Sequence, residues 1–299
     1  MNTTVLTGGH SITGAGPIRG DLAKIIADEI IDSITKEFNI NCSALGSTGK
    51  KGKDQKSGDI DIAVEMPWEE RDKLISFVNK NFDRCIFGNI VDYLNVFNIG
   101  YRYKEDNEEK IVQVDFMFVD DLEWAKFVYY SPNFINHESE FKGSWRSTLL
   151  RGICACTPVE KINNIYKTEY FEDGNIKSYW KFIFSQADGL LLDHKTYEGT
   201  KKVLKNPVSI KEDRKYISKD IDEIIYLCLG LHASRDDCNS YESLLKFLVS
   251  ERYEYRSIDQ LYKIKDWLFS NSDLLREASE EVKNKARELF DKSINILNN

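Results

Sequence analysis

The sequence predicts an α/β (α+β) fold: a mixed sheet carrying helices, followed by a small β meander and an α-helical C-terminal region. Three observations lead there. Helical and strand periodicities succeed one another up to Val119 in the order helix–strand–strand–helix–strand–strand, the pattern of a layered α/β sheet. Over about 163–197, aromatic alternating segments are punctuated by Asp173-Gly174 and Asp188-Gly189, as in short antiparallel hairpins. Over 218–299 the periodicity is helical throughout. This change of texture predicts one domain over 1–158 and a C-terminal region over 159–299.

The elements follow in order. Glycines at 8, 9, 14, 16 and 20 predict an entry loop, and Gly14-Ala15-Gly16 lacks the preceding strand of a dinucleotide fingerprint. Asp21 reads as an N-cap, after which Ala23, Ile26, Ala27, Ile30, Ile34 and Phe38 share one helical face. Cys42 to Leu45 reads as a strand that stops at Gly46-Ser47. Residues 48–58 are a polar loop carrying Lys50, Lys51, Lys53 and Lys56, with Ser57 and Gly58 at its end. The strand Asp59 to Val64 alternates carboxylates with aliphatics before Pro67, and Trp68 to Asn79 is a helix. Ile90–Ile99 and Lys110–Val119 are two strands joined by a charged tip, Tyr103 to Glu109. Farther on, Asn239-x-x-Glu242 and Ser257-x-x-Gln260 resemble capping boxes. The last helix carries Leu275, Ala278, Val282, Ala286, Leu289 and Ile294 down one side.

Composition narrows the function classes. No apolar run approaches the roughly 20 residues of a membrane span, and the first residues lack the basic and apolar regions of a secretory signal. A cytoplasmic protein with no membrane partner is expected. Six cysteines without a C-x-x-C pair predict reduced thiols, and four histidines without H-E-x-x-H argue against a zinc enzyme. The net charge of -8 argues against a continuous grip on long nucleic acid, so any basic footprint must be local.

The chemistry concentrates in three acids. In a strand, residues two apart face the same way, so Asp59 and Asp61 project together while Ile60 and Ile62 enter the core. Adjacent carboxylates beside a core are costly unless a cation compensates them. Asp115, between Val114 and Phe116, repeats the pattern. If its strand pairs beside the first, three hard oxygen ligands converge, which suits magnesium. Alone, the D-x-D pair fits an amphipathic edge strand with a solvated acidic face, and Asp115 fits a buried residue satisfied by backbone donors. Gly46-Ser47 adds a turn where backbone can approach a phosphate closely and donate to its oxygens.

Together, Leu45-Gly46-Ser47, Ser57-Gly58-Asp59-Ile60-Asp61 and Val114-Asp115 resemble the signature of the DNA polymerase beta-like nucleotidyltransferases. The resemblance covers about 20–120. It implies a nucleotidyltransferase palm within 1–158 and a two-metal site of Mg2+ or Mn2+ on Asp59, Asp61 and Asp115 as catalytic residues. It also implies that Gly46 and Ser47 hold a nucleoside triphosphate, ATP among them. Lys56 and Ser57 join the nucleotide-binding set, because the lysine-rich loop can clamp phosphates.

The acceptor is less constrained. RNA or tRNA is favoured by the separate helical region and the local lysines. A small molecule or protein, including toxin-type activity, is favoured by the acidic balance, and a non-catalytic binding or antitoxin module is the third alternative. Aromatic and basic residues interleave over 124–151 (Trp124, Phe141, Lys142, Trp145, Arg146, Arg151) and again at Tyr179-Trp180-Lys181. Both stretches can stack bases, although packing is the favoured reading of the first. Nothing in the sequence sets an oligomeric state.

Overall fold

The computed structural model describes residues 12–82, 85–162, 166–197, 209–270, 275 and 278–298. Residues 8–11 of the expected entry loop, 163–165 of the expected meander, and 271–274, 276–277 and 299 of the expected helical stretch lie outside the described residues. The fold is mixed α/β, and the chain divides into two compact units, Met1–Gly143 and Ser144–Asn299. The division falls at the start of the helix Gly143–Cys156, ahead of the expected boundary at 158.

In the first unit, β1 (Ile18–Arg19) leads into α1 (Gly20–Phe38), then β2 (Cys42–Ala44), β3 (Lys56–Ser57) and β4 (Asp59–Glu65). After a 3-10 turn at Trp68–Glu70 come α2 (Arg71–Asn81), β5 (Cys85–Val91), β6 (Val96–Glu105), β7 (Glu108–Val119), α3 (Leu122–Tyr129) and α4 (Pro132–Ile135). Five strands form one mixed sheet in the order β2-β4-β7-β6-β5, and β1 pairs with β3 in a separate ribbon. Only β4 and β7 run parallel, with α2, β5 and β6 between them in the chain.

Alternation along β4 divides its neighbours. Ile60, Ile62 and Val64 enter the main core with Ile26, Ile30 and Ile34 of α1 and Leu74 and Val78 of α2. Ala63 packs on the opposite side with Leu45, Leu122 and Ala125, under α3. The stripe Ala23, Ile26, Ala27, Ile30 and Ile34 of α1 is fully or almost fully buried, as its 3.6-residue spacing requires. Burying an aliphatic side chain of this kind contributes about 1.5–3 kcal/mol. The odd positions of β4 near its start, Asp59 and Asp61, therefore share the side of Ala63 and α3.

Several expectations are corrected. Helix α1 starts at Gly20, and Asp21 does not cap it: its carboxylate is held by Arg19, at 3.0 Å from Nε and 2.8 Å from Nη2. The stretch Ile90–Ile99 is two antiparallel strands, because Asp92–Leu94 makes a 3-10 turn closed by Asn95 in the left-handed region. The charged tip shrinks to Asp106 and Asn107, both at positive φ (54° and 64°), a two-residue hairpin whose strands run to Glu105 and from Glu108. The entry segment is not wholly loop, since Ala15 bridges Ile111 and β1 pairs with β3.

The second unit begins with α5 (Gly143–Cys156) and α6 (Val159–Ile162). It continues through β8 (Glu169–Tyr170), β9 (Ile176–Ser185), β10 (Gly189–Tyr197) and β11 (Ser209–Ser218), an antiparallel sheet in the order β11-β10-β9-β8. Gly174 and Gly189, both at φ 82°, sit at the expected turns. Strand β11 extends the meander beyond the predicted 197 limit. Helices α7 (Ile221–Leu229), α8 (Tyr241–Val249), α9 (Ile258–Ser270) and α10 (Glu280–Asn298) complete the unit.

Ser257 Oγ accepts from the Gln260 N–H as a capping box requires, but the Gln260 amide donates to the Cys156 carbonyl instead of reaching back. The cap of α8 is Ser240, one residue after the predicted Asn239, and it accepts from the Ser243 N–H. In α10 the buried side runs through Ala286, Phe290 and Ile294, while Leu275 and Ala278 precede the helix. All six cysteines are free. No helix among the described residues is long and apolar enough to cross a membrane.

Candidate metal centre

The parallel pairing of β4 with β7 sets Asp61 opposite Asp115 and Asp59 opposite Gln113. Three carboxylates and one amide thus occupy a two-by-two patch of backbone. One oxygen from each of Asp59, Asp61 and Asp115 lies within 4.8 Å of the others. Two oxygens on opposite sides of one hard divalent cation stand about 4–5 Å apart, so this oxygen-only donor set fits magnesium or manganese.

The electrostatics of the three acids follow from their burial and mutual repulsion. Burial raises Asp61 well above the ordinary carboxylate range, and the charges of Asp59 and Asp115 raise it further, while Lys142 opposes them. Burial likewise pushes Asp115 up to about 6; the Gln113 hydrogen bond pulls it down and the Asp59 charge pushes it up. Gln113 donates from Nε2 to Asp115 Oδ1 at 2.8 Å, which fixes that carboxylate's orientation. A bound cation would favour the ionised forms that burial and mutual repulsion disfavour.

Beside this patch, β2 ends in a tight turn. The Leu45 N–H donates to the Asp61 carbonyl at 2.9 Å, and the Thr48 N–H to the Leu45 carbonyl at 3.2 Å. Gly46 and Ser47 are the turn's central residues, so their N–H groups stand outside its hydrogen bond. Gly46 has φ +61°, and a Cβ there would lie 2.2 Å from Asp61 Oδ2. The glycine therefore lets the turn's backbone reach the carboxylate.

Ser47 Oγ lies 3.3 Å from the Oγ of buried Ser57. Of the remaining nucleotide-binding candidates, Lys56 is exposed and alternates with Ser57 along β3, so its side chain leaves on the other side of the strand.

The lysine-rich loop is fastened at several points. The Gly20 N–H donates to the Gln55 carbonyl at 2.9 Å, and a Cβ on Gly20 would strike the Lys51 backbone. Lys50 Nζ donates to the Ser139 carbonyl at 3.1 Å, and Lys51 Nζ to the Lys56 carbonyl at 2.6 Å. Burial lowers the Lys51 ammonium and Lys142 lowers it further, while Asp59 opposes. Among the described residues, Lys51 couples to Asp59 and Lys142 to Asp61.

Sequence reasoning did not assign Gln113 or Lys142 to the site. Gln113 was legible as a polar residue two positions before Asp115, whereas Lys142, after α4, stood out only as a member of the 124–151 stretch, with nothing to tie it to the acids. Trp124, Phe141, Trp145 and Arg146 of the aromatic and basic stretch are buried, as packing residues are. A cavity of about 580 Å³ opens along β2, between residues of α1 and Lys126, Tyr130 and Ile135; it shares Thr48 and Gly49 with the loop and none of the three acids.

No family model and no curated protein matches the chain. Among solved structures, it is similar to Leishmania infantum polymerase beta in a ternary P/T complex, at 10% identity and a TM-score of 0.38, over 75% of this chain and 77% of that one. The ternary gap complex of the same enzyme gives 10% identity and a TM-score of 0.39, over 75% and 71%. Likeness this loose carries no argument about chemistry, which has to come from the residues themselves.

Proposed function

We propose that the chain is a metal-dependent nucleotidyltransferase, moving a nucleoside monophosphate from a nucleoside triphosphate to an acceptor hydroxyl, with RNA or tRNA as the acceptor. One observation carries the reading: Asp59, Asp61 and Asp115 converge within 4.8 Å beside a glycine turn that touches Asp61. Asp59, Asp61 and Asp115 would hold Mg2+ or Mn2+, as a pair of ions in the two-metal arrangement. The metal, when bound, supplies neutralisation of charge on the transferring phosphoryl group and activation of the attacking oxygen.

The chain's own groups have separable tasks. The N–H groups of Gly46 and Ser47 donate to phosphate oxygens of the triphosphate, with the Ser47 hydroxyl steadied by Ser57. ATP is the first triphosphate to test. Asp115, raised to about 6 and with Oδ1 engaged by Gln113, keeps Oδ2 for a cation or for the proton of the acceptor hydroxyl. Lys51 and Lys142 contribute positive charge near the acids. Lys56 would act only on a phosphate reaching the outer side of β3.

A small-molecule or protein acceptor is favoured by the net charge of -8. The deciding experiment incubates the protein with each radiolabelled nucleoside triphosphate, Mg2+ or Mn2+, and separate RNA, protein and metabolite fractions. Label in RNA is the expected result, and label in another fraction reassigns the acceptor. No label with any triphosphate removes the enzyme reading.

A further inference from the structure

The four-stranded sheet of the second unit has one face built as core. Alternation sends Ser178, Phe182 and Phe184 of β9 and Leu190 and Leu192 of β10 to that side, and all are buried. The other face carries three tyrosines and three cations, Tyr179 and Lys181 from β9, Lys195 and Tyr197 from β10, and Arg214 and Tyr216 from β11; Leu191 and Asp193 are its buried members, and Glu212 is the register partner of Lys195.

The register orders them. Tyr179 faces Lys195, Lys181 faces Asp193, and Asp193 faces Arg214, so a lysine, an aspartate and an arginine form one row across three strands. Asp193 is the buried member, with its side chain 1% exposed and Arg214 Nε 3.6 Å from its Oδ1. It holds a cation in place and offers no exposed negative charge. Tyr179 and Tyr197 stack with ring centroids 6.0 Å apart and planes 17° from parallel. Arg214 and Tyr216 are 55% and 63% exposed.

We infer that this face binds single-stranded RNA, the acceptor class of the function proposed above, on which the inference rests. Aromatic faces stack bases of any identity, and a row of cations follows the phosphates. A duplex hides its bases in the stack, so a surface that offers both tyrosine faces and cations selects single strands. The charge argument points the same way. In a chain of net charge -8, a nucleic-acid footprint has to be local, and here Lys181, Lys195 and Arg214 stand against two acidic residues, Asp193, which is buried, and Glu212, in register with Lys195.

The test is fluorescence anisotropy of the full chain with a short labelled RNA oligonucleotide, without triphosphate, across a salt series. Lys181→Ala with Arg214→Ala should raise Kd at least about tenfold and flatten the slope of log K against log salt by about 1.4, the single-strand value of about 0.7 per lost phosphate contact. Tyr216→Ser should also raise Kd about tenfold, and this exposed position keeps the test valid if the double variant fails to fold.

Unaltered Kd in both variants overturns the proposal, as does duplex RNA bound as tightly as the single strand. Tighter binding of single-stranded DNA overturns the assignment to RNA. Label transfer to RNA with unaltered affinity in the variants sinks this surface alone. Binding that depends on these residues, with no transfer to RNA, sinks the proposed reaction alone.

Discussion

Asp61 and Asp115 are register partners on neighbouring parallel strands, so the backbone itself sets their carboxylates side by side. Asp59 and Gln113 form the next row of the same ladder. Rigid strands are the scaffold on which a preorganised site is held most closely.

Replacing Asp61 with Asn removes a ligand and a buried negative charge together. Transfer of label should fall by at least about 10²–10³-fold, the scale of losing one preorganised electrostatic group. The metal-free variant should melt at a higher temperature than the native chain, because the charge that burial, Asp59 and Asp115 disfavour is gone. A lower melting temperature would show that these acids do not repel one another in solution.

Gly46→Ala places a Cβ 2.2 Å from Asp61 Oδ2 and forces a non-glycine residue to φ +61°. Strain of this backbone kind costs about 1–2 kcal/mol, and displacement of Asp61 should abolish transfer as well. Gly49→Ala is the control: it has φ +90° but nothing within 4 Å of the added Cβ, so it should lose stability and keep most of its activity. Urea midpoints and labelling rates for the pair separate strain from collision.

Metal and proton should compete. In the metal-free chain Asp115 has a folded pKa of about 6 against an ordinary 3.8, so the folded state binds its proton more tightly than the unfolded state does. Stability from this group is therefore full below 3.8 and is lost as pH rises through 6. A cation relieves that loss only where Asp115 is ionised. The rise in Tm on adding Mg2+ or Mn2+ should thus be larger well above pH 6 than below it, and chelation should reverse it. A rise independent of pH would place the metal elsewhere.

Gln113→Leu removes the hydrogen bond that lowers the Asp115 pKa. The acid limb of the rate–pH profile should move upward, while the fold, read by circular dichroism, stays intact. An unmoved limb would mean that Asp115 does not titrate in the rate-limiting step.

Asn107→Gly relieves a left-handed residue in the two-residue turn between β6 and β7. Asn tolerates this conformation better than most residues, so a gain of only about 0.5 kcal/mol is expected from chemical unfolding.

The carboxylate patch was legible because its signals are local: Asp59-Ile60-Asp61-Ile62 shows its alternation in four residues, and Gly46-Ser47 marks the turn. The α1 stripe was legible for the same reason. The break between β5 and β6 was not, since Asp92–Leu94 looks like any polar–apolar stretch and Asn95 alone takes the left-handed turn that glycine would have announced. Strand β11 was hidden by Lys211-Glu212-Asp213-Arg214-Lys215, a charged run that resembles a solvated loop yet suits an edge strand, where charges discourage pairing with other chains. Ser257 caps α9 as its sequence suggested, but two other caps were displaced: Arg19 draws Asp21 away from α1, and Ser240 replaces Asn239 at α8. Lys142 stood out only as one cation of the 124–151 stretch, because its relation to Asp61 exists only in three dimensions.

The parallel pairing of β4 with β7 also bears on how the chain matures. Asp59 and Asp61 leave the ribosome well before Asp115, with a helix and two strands made in between. Until β7 slots between β4 and β6, the first two acids lack their third companion. Parallel, non-local strand pairing is among the slower events in folding. Acquisition of metal affinity by a refolding chain should therefore lag behind the appearance of helix, giving a clock for the moment at which the central strand is inserted.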